Sequence, residues 1–370
     1  MISFSRSGKL GIHPFQQFPK NFDRTVTEPV QRHLYGLGRE CLGAVQITAE
    51  EDTQEPAYEK ISNEQVRQLA AEGATKSTEL VMKSHLSLTG ASGKVGLYYD
   101  AANNEWYLPK GTAPSTHIVK QSHIRLDGIV TNEQLAQTTA RLAGLPTPDS
   151  FIINLGTAKD DEILLATRRF DRVFDEKGRT IGTLPAPLRL HQEDFAQALG
   201  IPALDKYEKS RTPGGGYLRR MFEVLRLYSA NPIEDQLLLW DAIIFDYLIG
   251  NTDSHVKNFS LLYSGDLKRR RLAPIYDIVS TCIYESSTRD LAFSIGGKNS
   301  LDEIGRADFG EEAAFCGLTA KTALDRFDRM AGRFEEALAE AQRQLSDKGF
   351  VQAARMRETI LAKGGIASLH

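Results

Sequence analysis

The spacing of apolar positions changes character along the chain. Up to about residue 166, short apolar runs alternate with polar turns; from residue 192 onward, apolar residues recur at helical spacing. Residues 43–48 (GAVQIT) read as a short strand. Residues 62–73 read as a helix with Asn63 as cap and Val66, Leu69 and Ala70 on one face. Residues 97–99 and 106–108, joined by the polar turn 100–104, predict a hairpin, and 116–120, 151–153 and 163–166 predict further strands. Between them, Thr131 and Asn132 look like the cap of a helix over 133–142, which Gly144 and Pro146 end. Downstream, helices are expected over 193–199, 217–230 and 233–248, with a strand over 259–263. Residues 319–345 carry an apolar stripe of Leu324, Phe327, Met330, Phe334 and Leu338, which would pack on the larger lobe or face a partner. A β-rich first half and a helix-rich second half predict an α+β arrangement in two lobes, with residues 168–172 as the hinge.

Composition narrows the function classes. The chain has 370 residues, a formal charge of −3, 41% hydrophobic and 25% charged residues. This is the balance of a globular protein, not of a disordered, collagen-like or disulfide-stapled chain. Near-neutral charge argues against nucleic-acid binding through bulk electrostatics. Cys41, Cys282 and Cys316 form no CxxC or metal knuckle and read as idle thiols in a reducing compartment. There is no apolar core of signal-peptide length at the start and no apolar run of ~18 residues, so a cytoplasmic protein without a membrane span is expected. The longest apolar stretch, 237–249, is interrupted by Asp241 and Asp246.

The strongest chemical signal is the polar loop after that stretch. Residues 249–260 (IGNTDSHVKNFS) place Asp253, His255, Lys257 and Asn258 between a helix and a strand. Asp253 and Asn258 are five positions apart, the separation of the base and the metal-binding Asn in the protein-kinase catalytic loop. Asp277 follows beyond a predicted hairpin, where the kinase plan puts its second metal ligand, and Mg²⁺ prefers such oxygen donors. Upstream, Gly90, Gly93 and Gly96 punctuate a strand–turn–strand around Lys94, a loop whose amides can cradle phosphates. It is not a Walker A motif, because Leu88 and Val95 stand where that motif needs Gly and Ser or Thr. Lys120, at the end of an apolar strand, would neutralise the α- and β-phosphates of ATP. Glu133 could pair with Lys120 or serve the helix dipole. At the hinge, the backbone around Arg169 and Phe170 could face an adenine and Asp171 could accept from ribose hydroxyls; a linker with salt bridges is the other reading.

Together these residues resemble the HipA family of bacterial serine/threonine kinase toxins. The resemblance rests on residues 38–44, 87–94, 116–120, 169–172, 192–194, 206–208, 252–260 and 274–277, and covers roughly 38–300. Its most specific part is Thr-Asp-x-His-x-Lys-Asn at 252–258 followed by Tyr-Asp-x-x-Ser at 276–280. It implies a two-lobed protein-kinase-like fold: 1–60 a remnant of the family's N-terminal region, 61–167 the nucleotide-binding lobe, 168–172 the hinge and 173–370 the helical catalytic lobe. Asp253 would be the base, supported by His255 and Lys257. Asn258 and Asp277 would bind Mg²⁺, and Lys120 would bind ATP. Ser87 matches the serine that family members autophosphorylate. Ser92 stands where the family usually has Gln and is a rival site. The resemblance also implies targets such as an aminoacyl-tRNA synthetase, growth arrest, and a HipB-like helix-turn-helix antitoxin that carries the contact to operator DNA. The early start of the family pattern suggests a shortened member, similar in outline to the HipT toxin of three-component systems, in which a small HipS-like protein supplies the missing part. Two other readings stay open: a phosphoinositide or small-molecule kinase, and a kinase-like shell acting as a non-catalytic repression partner.

Overall fold

The computed structural model describes residues 2–4, 10–12, 42–45, 47–49, 55–62, 65–66, 94–121, 126–156, 158–209 and 216–369. The chain forms two units, one of residues 1–127 with 151–192, the other of residues 128–150 with 193–370.

The first unit is built on a six-stranded sheet. Its order is Ala57–Ile61, Glu105–Lys110, Lys94–Asp100, His117–Gln121, Ile163–Arg168 and Ser150–Asn154. The predicted hairpin is present, with Tyr99 opposite Trp106 across the turn. Alternation sends Val95, Leu97, Val119, Leu164, Ala166 and Trp106 into one core. There Tyr99 stacks on Trp106, with ring centroids 4.5 Å apart. On the sheet face away from Val95 and Leu97, Lys120 stands directly opposite Lys94.

The second unit is mainly helical. Its central helix, Pro232–Ile249, buries Leu239, Trp240, Ile244, Phe245, Tyr247 and Leu248 around nearly its whole circumference. Proline in its first turn and a left-handed Gly250 after its last residue mark its two ends. The helix Ala320–Ser346 turns Phe327, Met330, Phe334 and Leu338 inward against Ile129–Leu142 and Pro232–Ile249, so most of the predicted stripe is internal core. Leu324 is half-buried beside Gly310. A small sheet of Gln192–Asp194, Ser260–Tyr263 and Arg270–Leu272 carries the chain away from the central helix. No described helix is long and apolar enough to cross a membrane.

Two boundaries differ from expectation. The helix predicted from residue 133 begins at Ile129 after a left-handed Gly128, and neither Thr131 nor Asn132 caps it. Asn132 instead donates to Ser280 O at 2.8 Å and accepts from Ser280 N at 3.2 Å. Residues 168–172 lie inside the first unit, and the chain changes unit at 127/128, 150/151 and 192/193. Asp171, only 2% exposed, is held there from five directions. Arg169 grips both of its oxygens at 2.9 and 2.7 Å, and Arg172, Gly43 N and Gln192 add contacts at 3.0, 2.7 and 3.0 Å. Burial would raise the Asp171 carboxyl, but the two guanidiniums outweigh it and hold it far below the usual range. These hydrogen bonds tie the segment into its own unit.

Candidate active site

The helix Pro232–Ile249 ends in a loop stitched from within. Gly250 takes φ 72°, and a Cβ there would sit 2.5 Å from Cys282 Sγ. Gly250 O accepts from Thr281 Oγ1 at 2.9 Å, and Thr281 Oγ1 in turn accepts from Thr252 N at 2.7 Å. Asn251 Nδ2 and Ser254 Oγ both donate to Asp246, at 2.8 and 2.5 Å. Burial pushes the Asp246 carboxyl up to about 7 against these two donors. Asn258 Nδ2 donates to Asp253 O at 3.0 Å, closing the loop.

This stitching leaves a selective exposure. Asn251, Thr252, Ser254, His255, Val256, Asn258 and Phe259 are all buried, while Asp253 and Lys257 are half-exposed. Asp253 Oδ1 accepts from the Tyr207 hydroxyl. The neighbouring Lys206 Nζ lies 2.7 Å from His255 Nε2. Lysine has only donors, so Nε2 is the acceptor and the ring proton sits on Nδ1. Burial first, then Lys206, disfavour a charged His255 against the pull of Asp253 and Asp277, and the net shift is downward. His255 Nδ1 has no hydrogen-bond partner among the described residues.

The second carboxylate sits after a turn that is tied to the loop. Tyr276 OH lies 2.6 Å from Ser260 Oγ and donates to Lys257 O at 3.2 Å. Asp277 follows with φ 59°, a left-handed conformation that Asp tolerates better than most residues. Its charge reaches His255. The second unit therefore carries Asp253, His255, Lys257 and Asn258 on one loop, with Asp277 tied to it through the neighbouring Tyr276.

The first unit carries the other set. Lys94 and Lys120 stand opposite each other on one face of the sheet. Arg169 and Asp171 are internal to that unit, and Phe170 lies beside them in the chain. Ser87, Gly90, Ser92 and Gly93 lie outside the described residues.

Among the described residues, no three His, Cys, Asp or Glu side chains cluster as a metal site. Mg²⁺ does not need one: it keeps waters and phosphate oxygens and takes one or two protein oxygens. Asn258 suits this, since its amide nitrogen is spent on Asp253 O, which turns its carbonyl oxygen away from that bond.

Sequence reasoning missed roles for Asp246, Lys206 and Tyr207. A carboxylate set in the apolar last turns of a helix was the signal for the first. The Lys-Tyr-Glu string at 206–208 was visible but carried no role.

Comparison with known proteins shows the family and the fold. A family model described as the HipA-like C-terminal domain matches residues 86–338. The Sinorhizobium fredii protein Y4mE is 34% identical over 284 residues, which are 77% of this chain and 63% of that protein. The serine/threonine-protein kinase toxin HipA of Shewanella oneidensis is 30% identical over 267 residues, 70% of this chain and 58% of that protein. The chain thus spans less than two thirds of the length of either relative. A solved chain from the toxin–antitoxin complex of HipA, HipB and operator DNA of Shewanella oneidensis superposes with a TM-score of 0.70 at 23% identity, covering 89% of this chain and 76% of that one. The fold is therefore the α+β, kinase-like fold of HipA.

Proposed function

The chain belongs to the HipA-like C-terminal domain family, and from that premise we propose that it is an ATP-dependent protein serine/threonine kinase. The observation that carries this reading is the exposure pattern of the 250–259 loop. Its scaffold is buried and hydrogen-bonded, while the Asp253 carboxylate and the Lys257 ammonium reach solvent.

Asp253 Oδ1 is engaged by Tyr207, so Oδ2 is the oxygen that takes the proton of an acceptor hydroxyl. That hydroxyl oxygen bonds to the γ-phosphorus, the bond to the β,γ-bridging oxygen breaks, and ADP leaves. Lys120, with Lys94 opposite it, neutralises phosphate charge. Asn258 and Asp277 would hold Mg²⁺, which supplies further neutralisation of the developing charge. Lys257, four residues along the same loop, offsets charge at the acceptor side. Catalysis of this kind is mostly positioning and electrostatics. His255, neutral and buried, supports the loop and is not a proton carrier.

The finer reading follows the family. The acceptor is a protein Ser or Thr, an aminoacyl-tRNA synthetase being the favoured class, and its phosphorylation would arrest growth. Self-phosphorylation at Ser87 or Ser92 would restrain the enzyme. The superposition on HipA, solved with HipB and operator DNA, supports a HipB-like antitoxin as partner, with DNA contacted through it. A HipS-like small protein is the second partner of this reading, and the cytoplasm is its compartment.

Mass spectrometry of the purified chain with and without Mg·ATP, beside Asp253→Ala, tests the proposal. A phosphate gained on Ser87 or Ser92 only in the wild type is expected. No phosphate in the chain and no ATP turnover on a cell lysate would overturn it.

A further inference from the structure

The Lys206–Tyr207–Glu208 segment is fixed from below and reaches the loop from above. Glu208 is buried; its backbone N–H donates to Ala292 O at 3.0 Å, and its carboxylate accepts from Ser294 Oγ at 3.0 Å and from Tyr217 N at 3.2 Å. The last of these bonds seats the carboxylate at the start of the helix Tyr217–Tyr228, where negative charge is favoured. Tyr217 OH returns to Asp205 O at 2.8 Å, so both sides of the segment are tied to one helix. On this base, Lys206 lies over the Tyr207 ring at 4.8 Å from its centroid, and the Tyr207 and His255 rings meet edge to face at 5.3 Å.

The Tyr207 ring therefore has few rotamers to choose from. Its hydroxyl donates to Asp253 Oδ1. Burial and that bond push the phenol up, so it remains a donor throughout the working pH range of the protein. A carboxylate on a half-exposed loop residue would otherwise rotate freely about χ2, presenting either oxygen.

We propose that Tyr207 is a positioning residue: by pinning Oδ1 it presents Oδ2 of Asp253 to the acceptor hydroxyl. This rests on the reading of Asp253 as the base. Glu208 is the anchor of the device and Lys206 its brace, which gives the three consecutive residues separate duties. Loss of the phenolic hydroxyl leaves the ring packing in place and frees the carboxylate, so the cost falls on the chemical step and not on nucleotide binding.

The test uses the full chain with Mg·ATP, following transfer to itself and to myelin basic protein as a generic acceptor. For Tyr207→Phe, the rate at saturating ATP should fall roughly 10-fold, while the half-saturating ATP concentration and the unfolding temperature stay at wild-type values. In an Asp253→Ala background, Tyr207→Phe should change the residual rate no further, because there is no carboxylate left to orient. Additive losses in the double variant, or a raised half-saturating ATP concentration with an unchanged maximal rate, would overturn the inference. Transfer lost in Asp253→Ala but undiminished in Tyr207→Phe overturns it alone. Transfer undiminished in Asp253→Ala overturns the base assignment, and with it any duty of Tyr207 toward a base. No transfer by the wild type to either acceptor overturns the kinase reading itself.

Discussion

Ser254 Oγ lies 2.5 Å from Asp246 Oδ2, so the last turn of the central helix holds the loop that follows it. Asn251 binds the other oxygen at 2.8 Å. Burial raises this carboxyl to about 7, against ~3.9 for an unfolded Asp. Between those values the folded chain keeps a proton that the unfolded chain has lost. Stability therefore falls as pH rises through this window, and the full penalty, at most about 4 kcal/mol, is reached above pH 7. Asp246→Asn can keep both bonds and cannot ionise. Relative to wild type, its unfolding temperature by calorimetry should rise as pH goes from about 5.5 to 8. A constant difference across that range would contradict the burial argument. Asp246→Ala, by contrast, leaves two buried polar groups unpaired and should destabilise by about 2–4 kcal/mol.

Asp171 is the opposite case. Its depressed carboxyl stabilises the fold at every pH above the unfolded value, and that contribution disappears as pH falls through the acid range. Asp171→Ala would strand Arg169 and Arg172 in the interior, at a cost of about 3–5 kcal/mol. Denaturant unfolding, with protection of amides in the first unit followed by hydrogen exchange, should show the loss there.

Asp277 takes a left-handed backbone, so the side chain must be changed without disturbing the turn. Asn enters that region readily. Asp277→Asn should therefore fold like wild type yet lose transfer by at least ~100-fold, with any residual rate needing more Mg²⁺. Circular dichroism and a Mg²⁺ titration of ATP turnover check both halves. Chelation of Mg²⁺ by EDTA should stop transfer in the wild type.

Gly250 couples the central helix to the loop. With φ 72° and a Cβ that would meet Cys282 Sγ at 2.5 Å and Cβ at 2.8 Å, Gly250→Ala combines backbone strain with overlap. It should cost about 2–4 kcal/mol and slow transfer, because the strain falls between Asp246 and Asp253. Full activity with a lowered melting temperature would show that the loop is held independently of the helix end.

Amino-acid order alone determined much here. The hairpin of 97–108 was legible from two runs of strand-forming residues around a polar turn. The central helix and the long helix after residue 319 were legible from helical spacing, and Gly250 from its place at the end of an apolar run. The nearness of Asp253, His255, Lys257 and Asn258 was legible as well, because a loop between two fixed elements keeps its members together whatever the rest of the fold does; Asp277, beyond the hairpin of 260–272, is brought to that loop only by the fold. Local sequence misled where a side chain had two possible partners. Asn132 has the chemistry of a helix cap, and only the tertiary structure supplies Ser280, 148 residues away, as its stronger bidentate partner. Arg169 and Asp171 have the chemistry of an exposed hinge, and only folding brings Gly43 and Gln192 to close a buried cluster around them. Tyr207 and Asp253 are 46 positions apart, and no periodicity relates them. Periodic and short-range constraints act through the chain itself and can be read from it. Hydrogen bonds across long loops depend on where the packed helices and strands place their ends, and that is decided only once the core has formed.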